Sequence, residues 1–369
     1  MAGKNMASPD NKLDKKIEQW IRPEIRALKA YHVPPATDCI KLDAMENPYQ
    51  WPETMVDEWL GLVREVELNR YPDPSASALK DSLRKSMSVP NGADILLGNG
   101  SDELIQMILM AVAGKEQTVL SVDPSFVMYD MVATYAGMKY VSAPLNVDFS
   151  LDVDALLTAI EEHKPVIIFI AYPNNPTGNL FDRDALQQII DAAPGIIVID
   201  EAYHAFAEDS FMSEAGNIDN LLVMRTVSKM GLAGLRLGLL AGKAEWLTEF
   251  DKVRLPYNLN ILTQATAQFA LQHQSVLDEQ TAIIRSNRES LFAELSKLEN
   301  LQVYPSQANF ILFRTGKDQA TVIFEQLKDA GILIKNLSPS GGALQDCLRV
   351  TVGMPAENAA FLKALKQAL

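Results

Sequence analysis

Cysteine is nearly missing from this 369-residue chain, which holds only Cys39 and Cys347. Two so far apart give no disulfide framework, and a reduced compartment is the default expectation. Histidine is also sparse: His32, His163, His204 and His273 lie far apart and match no metal-ligand spacing. No apolar run approaches the roughly 18 residues of a membrane span, and residues 1–16 contain no apolar signal core. The expectation is a cytoplasmic, soluble protein without a membrane partner. Positive charge is in deficit, with 33 Lys and Arg against 47 Asp and Glu and a formal net charge of −14. That balance argues against a nucleic-acid surface. An anionic ligand must then be received by a local basic pocket in an acidic body. Internal repeats and low-complexity tracts are absent as well.

What is present is an ordinary globular composition, 48% hydrophobic and 22% charged. The length suits two domains, or one large α/β domain with an appendage. Residues 1–16 read as a flexible arm, and 17–29 have helical spacing. Helices follow at 53–66 and 75–87. From residue 95 the pattern becomes regular. Apolar strands at 95–97, 118–122, 140–143, 166–171, 196–199, 221–224 and 237–241 alternate for the most part with helical stretches. Strands buried on both faces and separated by helices predict a three-layer α/β domain with a mostly parallel sheet. After residue 258 the style changes: a long helical stretch, 261–298, breaks near 273–275. Strands at 310–313, 332–334 and 348–352 then mix with helices at 320–330 and 357–368, which reads as a smaller α+β domain. The expected division is 1–50 for the arm and part of the small domain, 51–258 for the large domain and 259–369 for the small one.

The organising stretch is Thr226-Val-Ser-Lys229-Met-Gly-Leu-Ala-Gly-Leu-Arg236-Leu-Gly238. Lys229 has only apolar or small neighbours for six residues on its C-terminal side. Desolvation there lowers a lysine's pKa toward the range where a neutral amine attacks a carbonyl. Thr226, Ser228 and Arg236 offer two hydroxyls and a forked cation, which suits a phosphate dianion. An amine beside a phosphate cradle is what holding pyridoxal phosphate as a Schiff base requires. The alternative is a strand-to-loop passage with a surface lysine and a structural arginine.

Other stretches bear on that choice. Gly98-Asn-Gly-Ser-Asp-Glu103 lies between a strand and a helix, where backbone N–H groups make an anion site. It has neither a dinucleotide fingerprint nor a P-loop, and a turn with Ser101 or Asp102 capping the helix explains it equally well. Tyr172-Pro-Asn-Asn-Pro-Thr-Gly178 is turn chemistry at the carboxyl end of a buried strand, where open α/β sheets bind ligands. Asp200 follows four apolar residues at another strand end. A carboxylate there needs a partner; a pyridinium nitrogen would serve, and so would a helix cap or a metal. Arg349 is a lone cation in an apolar strand and needs an anionic partner from the protein or a ligand.

Together, Asn175-Pro-Thr-Gly178, Asp200-Glu-Ala-Tyr203 and Ser228-Lys229 with Arg236 resemble the fold-type I aminotransferases, which use pyridoxal phosphate. Within that superfamily the chain is most similar to the histidinol-phosphate branch from about residue 25 onward. Ala27-Leu-Lys-Ala-Tyr31, Leu42-Asp-Ala-Met-Glu-Asn-Pro48, Arg70-Tyr-Pro72, Gly100-Ser-Asp-Glu103 and Leu348-Arg-Val-Thr-Val-Gly353 carry that likeness.

The resemblance implies transamination of L-histidinol phosphate with 2-oxoglutarate, giving imidazole-acetol phosphate and glutamate, in a homodimer with shared active sites. Lys229 would hold the cofactor and shuttle a proton, and Asp200 would pair with the ring nitrogen. Asn175 and Tyr203 would bond the phenolic oxygen, and Phe126 would stack on the ring. The phosphate would be met at Gly100, Ser101 and Asp102, by Thr226, Ser228 and Arg236, and by Tyr71 of a second subunit. Tyr31, Asn175, Lys335 and Arg349 would face the substrate. Two departures stand out: one residue fewer than in many relatives between Lys229 and Arg236, and Lys335 where many have an arginine for the substrate's phosphate. The rivals are an aromatic amino-acid aminotransferase and an amino-acid-phosphate decarboxylase on the same scaffold. A ligand-sensing regulator of this fold would need a DNA-binding domain, for which the short N-terminal arm leaves no room.

Overall fold

The computed structural model describes residues 9–30, 39–114 and 116–369. The chain opens with helices α1 (Pro9–Trp20) and α2 (Pro23–Ala27), a short strand β1 (Ile40–Lys41), and helices α3 (Glu53–Arg64) and α4 (Ser77–Ser86). Of the arm expected at residues 1–16, residues 1–8 lie outside the described residues, and helix α1 begins at Pro9. Next come β2 (Asp94–Asn99), α5 (Ser101–Val112), β3 (Thr118–Asp123), α6 (Met128–Ala136), β4 (Lys139–Pro144) and α7 (Val153–His163). They are followed by β5 (Ile167–Ala171), α8 (Arg183–Ala192), β6 (Ile196–Asp200), β7 (Leu221–Thr226), β8 (Leu237–Gly242) and α9 (Ala244–Asp251).

These strands form one seven-stranded sheet in the order β2-β8-β7-β6-β5-β3-β4. Its pairings are parallel except at β8, which is antiparallel to both β7 and β2. Alternation along each strand sorts its side chains between two helical layers. In β5, Ile168 and Ile170 join a core with α4, α7 and α8, while Ile167 and Phe169 join one with α5, α6 and α9. Both layers are buried, which is why the sequence shows continuous apolar runs rather than polar–apolar alternation. The α/β class and the mostly parallel sheet expected from the sequence are what the chain forms.

The remaining elements are α10 (Ile261–Gln272), α11 (Gln274–Leu295), β9 (Gln302–Val303), β10 (Phe310–Arg314), α12 (Ala320–Asp329), β11 (Ile332–Leu333), β12 (Lys335–Asn336), β13 (Cys347–Thr351) and α13 (Pro355–Ala368). A four-stranded antiparallel sheet, β12-β13-β10-β9, packs with α11, α12 and α13 around a separate core. Strand β1 pairs with β11, so residues near 40 join this C-terminal unit. Ala267, Phe269 and Ala270 of α10 pack instead in the core with α4, α7 and α8, on the large-sheet side of the expected boundary at 258/259. The expected strand 332–334 forms as Ile332 and Leu333, which pair with β1, and a second short strand that the sequence did not point to, Lys335–Asn336, pairs with β13. Among the described residues no helix is long and apolar enough to cross a membrane.

Candidate active site

Five chain passages at the carboxyl ends of strands, or at the turn after one, converge on a single cavity. They are the β2–α5 turn, the β3–α6 connection, the loop after β5, the end of β6, and the turn after β7. The cavity is lined by Ser101, Asp102, Phe126, Asn175, Asp200, Tyr203, Thr226, Ser228, Lys229 and Arg236, all expected site residues, together with Met45, Ala171 and Ala202, which the sequence did not point to.

Asp200 is the last residue of β6, in register with Ala171 of β5 and Met224 of β7. Val198 faces the α5–α6 layer, and Asp200, two residues on, shares that face. Its Oδ2 accepts from the Tyr129 hydroxyl at 2.8 Å and its Oδ1 from the Ala202 N–H at 3.1 Å. Burial raises its pKa from the ordinary 3.8 to about 7; the two donors oppose the rise, and the Asp102 and Glu201 carboxylates add to it. Among the described residues no group of three or more His, Cys, Asp and Glu side chains is placed to hold a metal ion.

The following residue, Glu201, falls on the opposite face and is fully buried. Its Oε2 accepts from Arg225 Nε at 2.9 Å, and Arg225 Nη1 donates to the Met87 carbonyl at 2.8 Å. This ion pair joins the ends of β6 and β7, the strands that lead to Asp200 and Lys229. Nothing in the sequence singled it out, because Arg225 reads simply as the residue after an apolar run.

Lys229 sits in a single 3-10 turn, Ser228–Met230, just after β7. Its Nζ donates to the Ala44 carbonyl at 3.1 Å and lies 5.9 Å from the centre of the Tyr203 ring. Burial brings its pKa down from 10.5 to about 8, and the nearby Arg349 and Arg236 cations act in the same direction. An amine so placed has an appreciable neutral fraction near physiological pH and a nucleophilic lone pair.

The anion end is built from the β2–α5 turn and the β7–β8 connection. Helix α5 begins at Ser101, and no side chain caps it: Ser101 and Asp102 do not make the cap that was one reading of this loop. Glu103 Oε2 instead accepts from the Asn99 N–H at 2.6 Å and from Asn258 Nδ2 at 2.7 Å. Gly100 has φ +83°, and a Cβ there would stand 2.6 Å from Arg236 Nη2. Gly238 lets β8 approach the turn so closely that a Cβ would meet the Ser101 nitrogen at 2.7 Å. Arg236 has a left-handed backbone, φ +48°, and reaches Asp102 Oδ2 at 3.1 Å. Thr226 and Ser228 hydroxyls lie 2.9 Å apart beside it.

At the other end Asn175 Nδ2 donates to the Tyr203 hydroxyl at 3.2 Å, and its Oδ1 accepts from Arg349 Nη1. Arg349 Nη2 also donates to the Asp43 carbonyl at 3.2 Å. Arg349 lies in β13 directly opposite Lys335 in β12. Lys335 is half-buried; its pKa is lowered by burial and then by Arg349, with Asp43 opposing. Neither cation lines the cavity, and both stand behind it on the small sheet. Tyr71 lies away from it, 79% exposed and stacked on Tyr257 with ring centroids 4.4 Å apart. Tyr31 lies outside the described residues.

These groups suit pyridoxal phosphate. A buried carboxylate with a raised pKa faces a cavity that also holds a buried amine with a lowered one, and such a pair gains from a ligand carrying a ring cation and a carbonyl. Helix α5's first turn, two hydroxyls and a guanidinium supply donors for a dianion.

Comparison with known proteins follows the same line. The family model described as aminotransferase class I and II matches residues 37–365. Histidinol-phosphate aminotransferase 2 of Nitrosococcus oceani is 55% identical over 351 residues, covering 95% of this chain and 98% of that protein. Histidinol-phosphate aminotransferase of Chromobacterium violaceum is 50% identical, again covering 95% and 98%. Among solved structures, histidinol-phosphate aminotransferase from Sinorhizobium meliloti in complex with pyridoxal-5'-phosphate superposes with a TM-score of 0.83 at 25% identity, covering 94% of this chain and 96% of that one.

Proposed function

The chain belongs to the class I and II aminotransferases, the premise from which we propose that it moves the amino group of L-histidinol phosphate to 2-oxoglutarate. The products are imidazole-acetol phosphate and glutamate, a step of histidine biosynthesis. The cofactor is pyridoxal phosphate, as for the family. The observation that carries the reading is the meeting of Asp200 and Lys229 in one cavity, each with its ionisation disfavoured by burial.

When bound, pyridoxal phosphate supplies a carbonyl that condenses with amines and a protonated ring that withdraws electrons from the carbon being deprotonated. The chain's own groups do the rest. Lys229 would hold the cofactor through Nζ, and the same amine would take and return the proton at the substrate's amine-bearing carbon. Asp200 holds the proton on the ring nitrogen. Asn175 and Tyr203 would bond the phenolic oxygen, and Phe126 would pack against the ring. The α5 N–H groups at Ser101 and Asp102, following Gly100, take the phosphate with Thr226, Ser228 and Arg236. For that contact Arg236 must share itself between the phosphate and Asp102. Arg349 receives the anionic group of either substrate and Lys335 that of histidinol phosphate alone, and by the family resemblance Tyr31 is a further substrate-facing residue. Tyr71, exposed on one subunit, serves the phosphate of a second, so the active form is a homodimer; the location is cytoplasmic.

An amino-donor panel tests the assignment. Histidinol phosphate, phenylalanine, tyrosine and histidine are compared at equal concentration with 2-oxoglutarate as acceptor. Histidinol phosphate should give the highest kcat/KM. Preference for phenylalanine or tyrosine would transfer the chain to the aromatic enzymes, and release of carbon dioxide from an amino-acid phosphate would make it a decarboxylase.

A further inference from the structure

Tyr129 has no part in the roles assigned above, yet it is the side chain in closest touch with Asp200. It lies in the first turn of α6, three residues after Phe126, and is completely buried. Its ring stacks on Phe169 with centroids 4.7 Å apart and planes 9° from parallel, and Phe126 meets it edge-on at 5.5 Å. Clamped between those rings, the hydroxyl has a fixed direction, and it points at Asp200 Oδ2 from 2.8 Å. The Ala202 N–H serves the other oxygen. Each carboxylate oxygen therefore has one protein donor, with lone pairs left for a ligand.

We propose that Tyr129 is a positioning residue that keeps Asp200 ionised and aimed at the ring nitrogen of the bound cofactor. The inference rests on the role given to Asp200 above. The physical reason is the company Asp200 keeps. From α5 it feels the Asp102 carboxylate, and along its own chain Glu201; both, like burial, favour its neutral form. Tyr129 opposes them. The tyrosine is itself held in its protonated, donating state, because burial and the Asp200 charge push its pKa well above the usual value, with Tyr140 and Tyr203 adding to the effect. A donor that does not titrate in the working range gives a constant bias toward the carboxylate. Without it Asp200 takes up a proton more readily, and a neutral carboxyl no longer pairs with a pyridinium.

The test uses the full chain, loaded with pyridoxal phosphate and stripped of it, as wild type, Tyr129→Phe, Tyr129→His and Asp200→Asn. Two readouts are independent of turnover: the dissociation constant for added pyridoxal phosphate, and the pH midpoint of the bound cofactor's visible absorbance change. Tyr129→Phe should weaken cofactor binding about ten- to a hundredfold, the range for a hydrogen bond to a charged group. It should also move the midpoint upward, since a ring without charge on its nitrogen holds its remaining proton more tightly. The melting temperature of the stripped protein should change little. Tyr129→His, which can again donate to Asp200, should recover part of both effects.

Wild-type values of both constants in Tyr129→Phe would overturn the proposal. So would changes that simply follow the stripped protein's melting temperature and that histidine does not reverse. Should Tyr129→Phe fail to fold, Tyr129→Met, which keeps the bulk and donates nothing, takes its place: a midpoint raised toward that of Asp200→Asn supports the role, and a wild-type midpoint overturns it. Asp200→Asn separates the two levels. If it too leaves both constants untouched, the role of Asp200 falls; if it alters them and Tyr129→Phe does not, only the role of Tyr129 falls.

Discussion

A buried carboxylate with a raised pKa destabilises the protein that carries it, and the sign can be followed for Asp200. Its pKa is about 7 when folded against 3.8 for the ordinary group. Between those values the folded chain binds more protons than the unfolded one, so this residue's contribution to stability falls as pH rises from about 4 to about 7. Below that window the group is neutral in both states and the penalty is absent. Asp200→Asn removes the penalty. In the cofactor-free protein the variant should therefore melt above wild type, by a margin that grows from pH 4 to pH 7 and then levels off. In the loaded protein the order should reverse, and kcat should drop by orders of magnitude, since losing one member of a buried charge pair costs about 3–5 kcal/mol. Thermal scans across pH with and without cofactor check the first part, and turnover checks the second. The two cations on the small sheet separate by substrate. Arg349→Ala should slow the half-reactions of both glutamate and histidinol phosphate. Lys335→Ala should slow chiefly the latter, by roughly ten- to a hundredfold in kcat/KM for the loss of a charge-assisted bond worth about 1.5–3 kcal/mol. Single-turnover measurements distinguish them, and equal slowing by Lys335→Ala would show that the lysine does not read the phosphate.

At the level of the element, the β2–α5 turn concentrates several constraints in few residues. Gly100 combines a positive φ with an arginine where its Cβ would be, and its ψ of 166° puts it in a region reserved for glycine. Gly100→Ala should cost about 1–3 kcal/mol of strain and push the Arg236 guanidinium aside. Weaker cofactor retention with little change in kcat at saturating cofactor is the expected result, read by equilibrium titration and denaturant melts. This turn also shows what the sequence could and could not disclose. Its glycines and its place between strand and helix were legible, because φ > 0 and close approach leave glycine little competition. Which acid worked there was not: Glu103, rather than Ser101 or Asp102, holds the turn, through Asn99 and through Asn258, 155 residues distant. The apolar strands were legible because both their faces are buried. Tyr129 could have been found as a tyrosine one helical turn beyond Phe126 that needs a partner for its hydroxyl. The Glu201–Arg225 pair could not, since only the pairing of β6 with β7 brings the two together. The pairing of Ile332 and Leu333 outside the small antiparallel sheet likewise depends on β1, nearly 300 residues away.

For the whole molecule the decisive question is the second subunit. Tyr71 cannot serve the cavity of its own chain from its exposed stack on Tyr257. Mixing Lys229→Ala with Tyr71→Phe chains should restore activity in hybrid dimers, each of which has one site with both residues intact, provided that Tyr71→Phe alone lowers activity. Sedimentation should show a dimer; an active monomer would refute the shared site. The placement of β8 has a consequence of another kind, for the order in which the molecule can assemble. Strand β2 touches the sheet only through β8, which enters between β2 and β7. Residues 94–99 thus have no sheet partner until residues 237–242 have been made, and the first turn of α5 lacks its backing for as long. At 5–20 residues per second, a ribosome needs roughly seven to thirty seconds to go from the end of β2 to the end of β8. Throughout that interval β2 is an unpaired apolar strand, and for its last few seconds β7 is an open edge, the features that invite wrong pairing or chaperone capture. The cofactor's anion site is accordingly among the last parts of the large sheet to form, and a nascent chain that stops before residue 237 should be unable to hold pyridoxal phosphate.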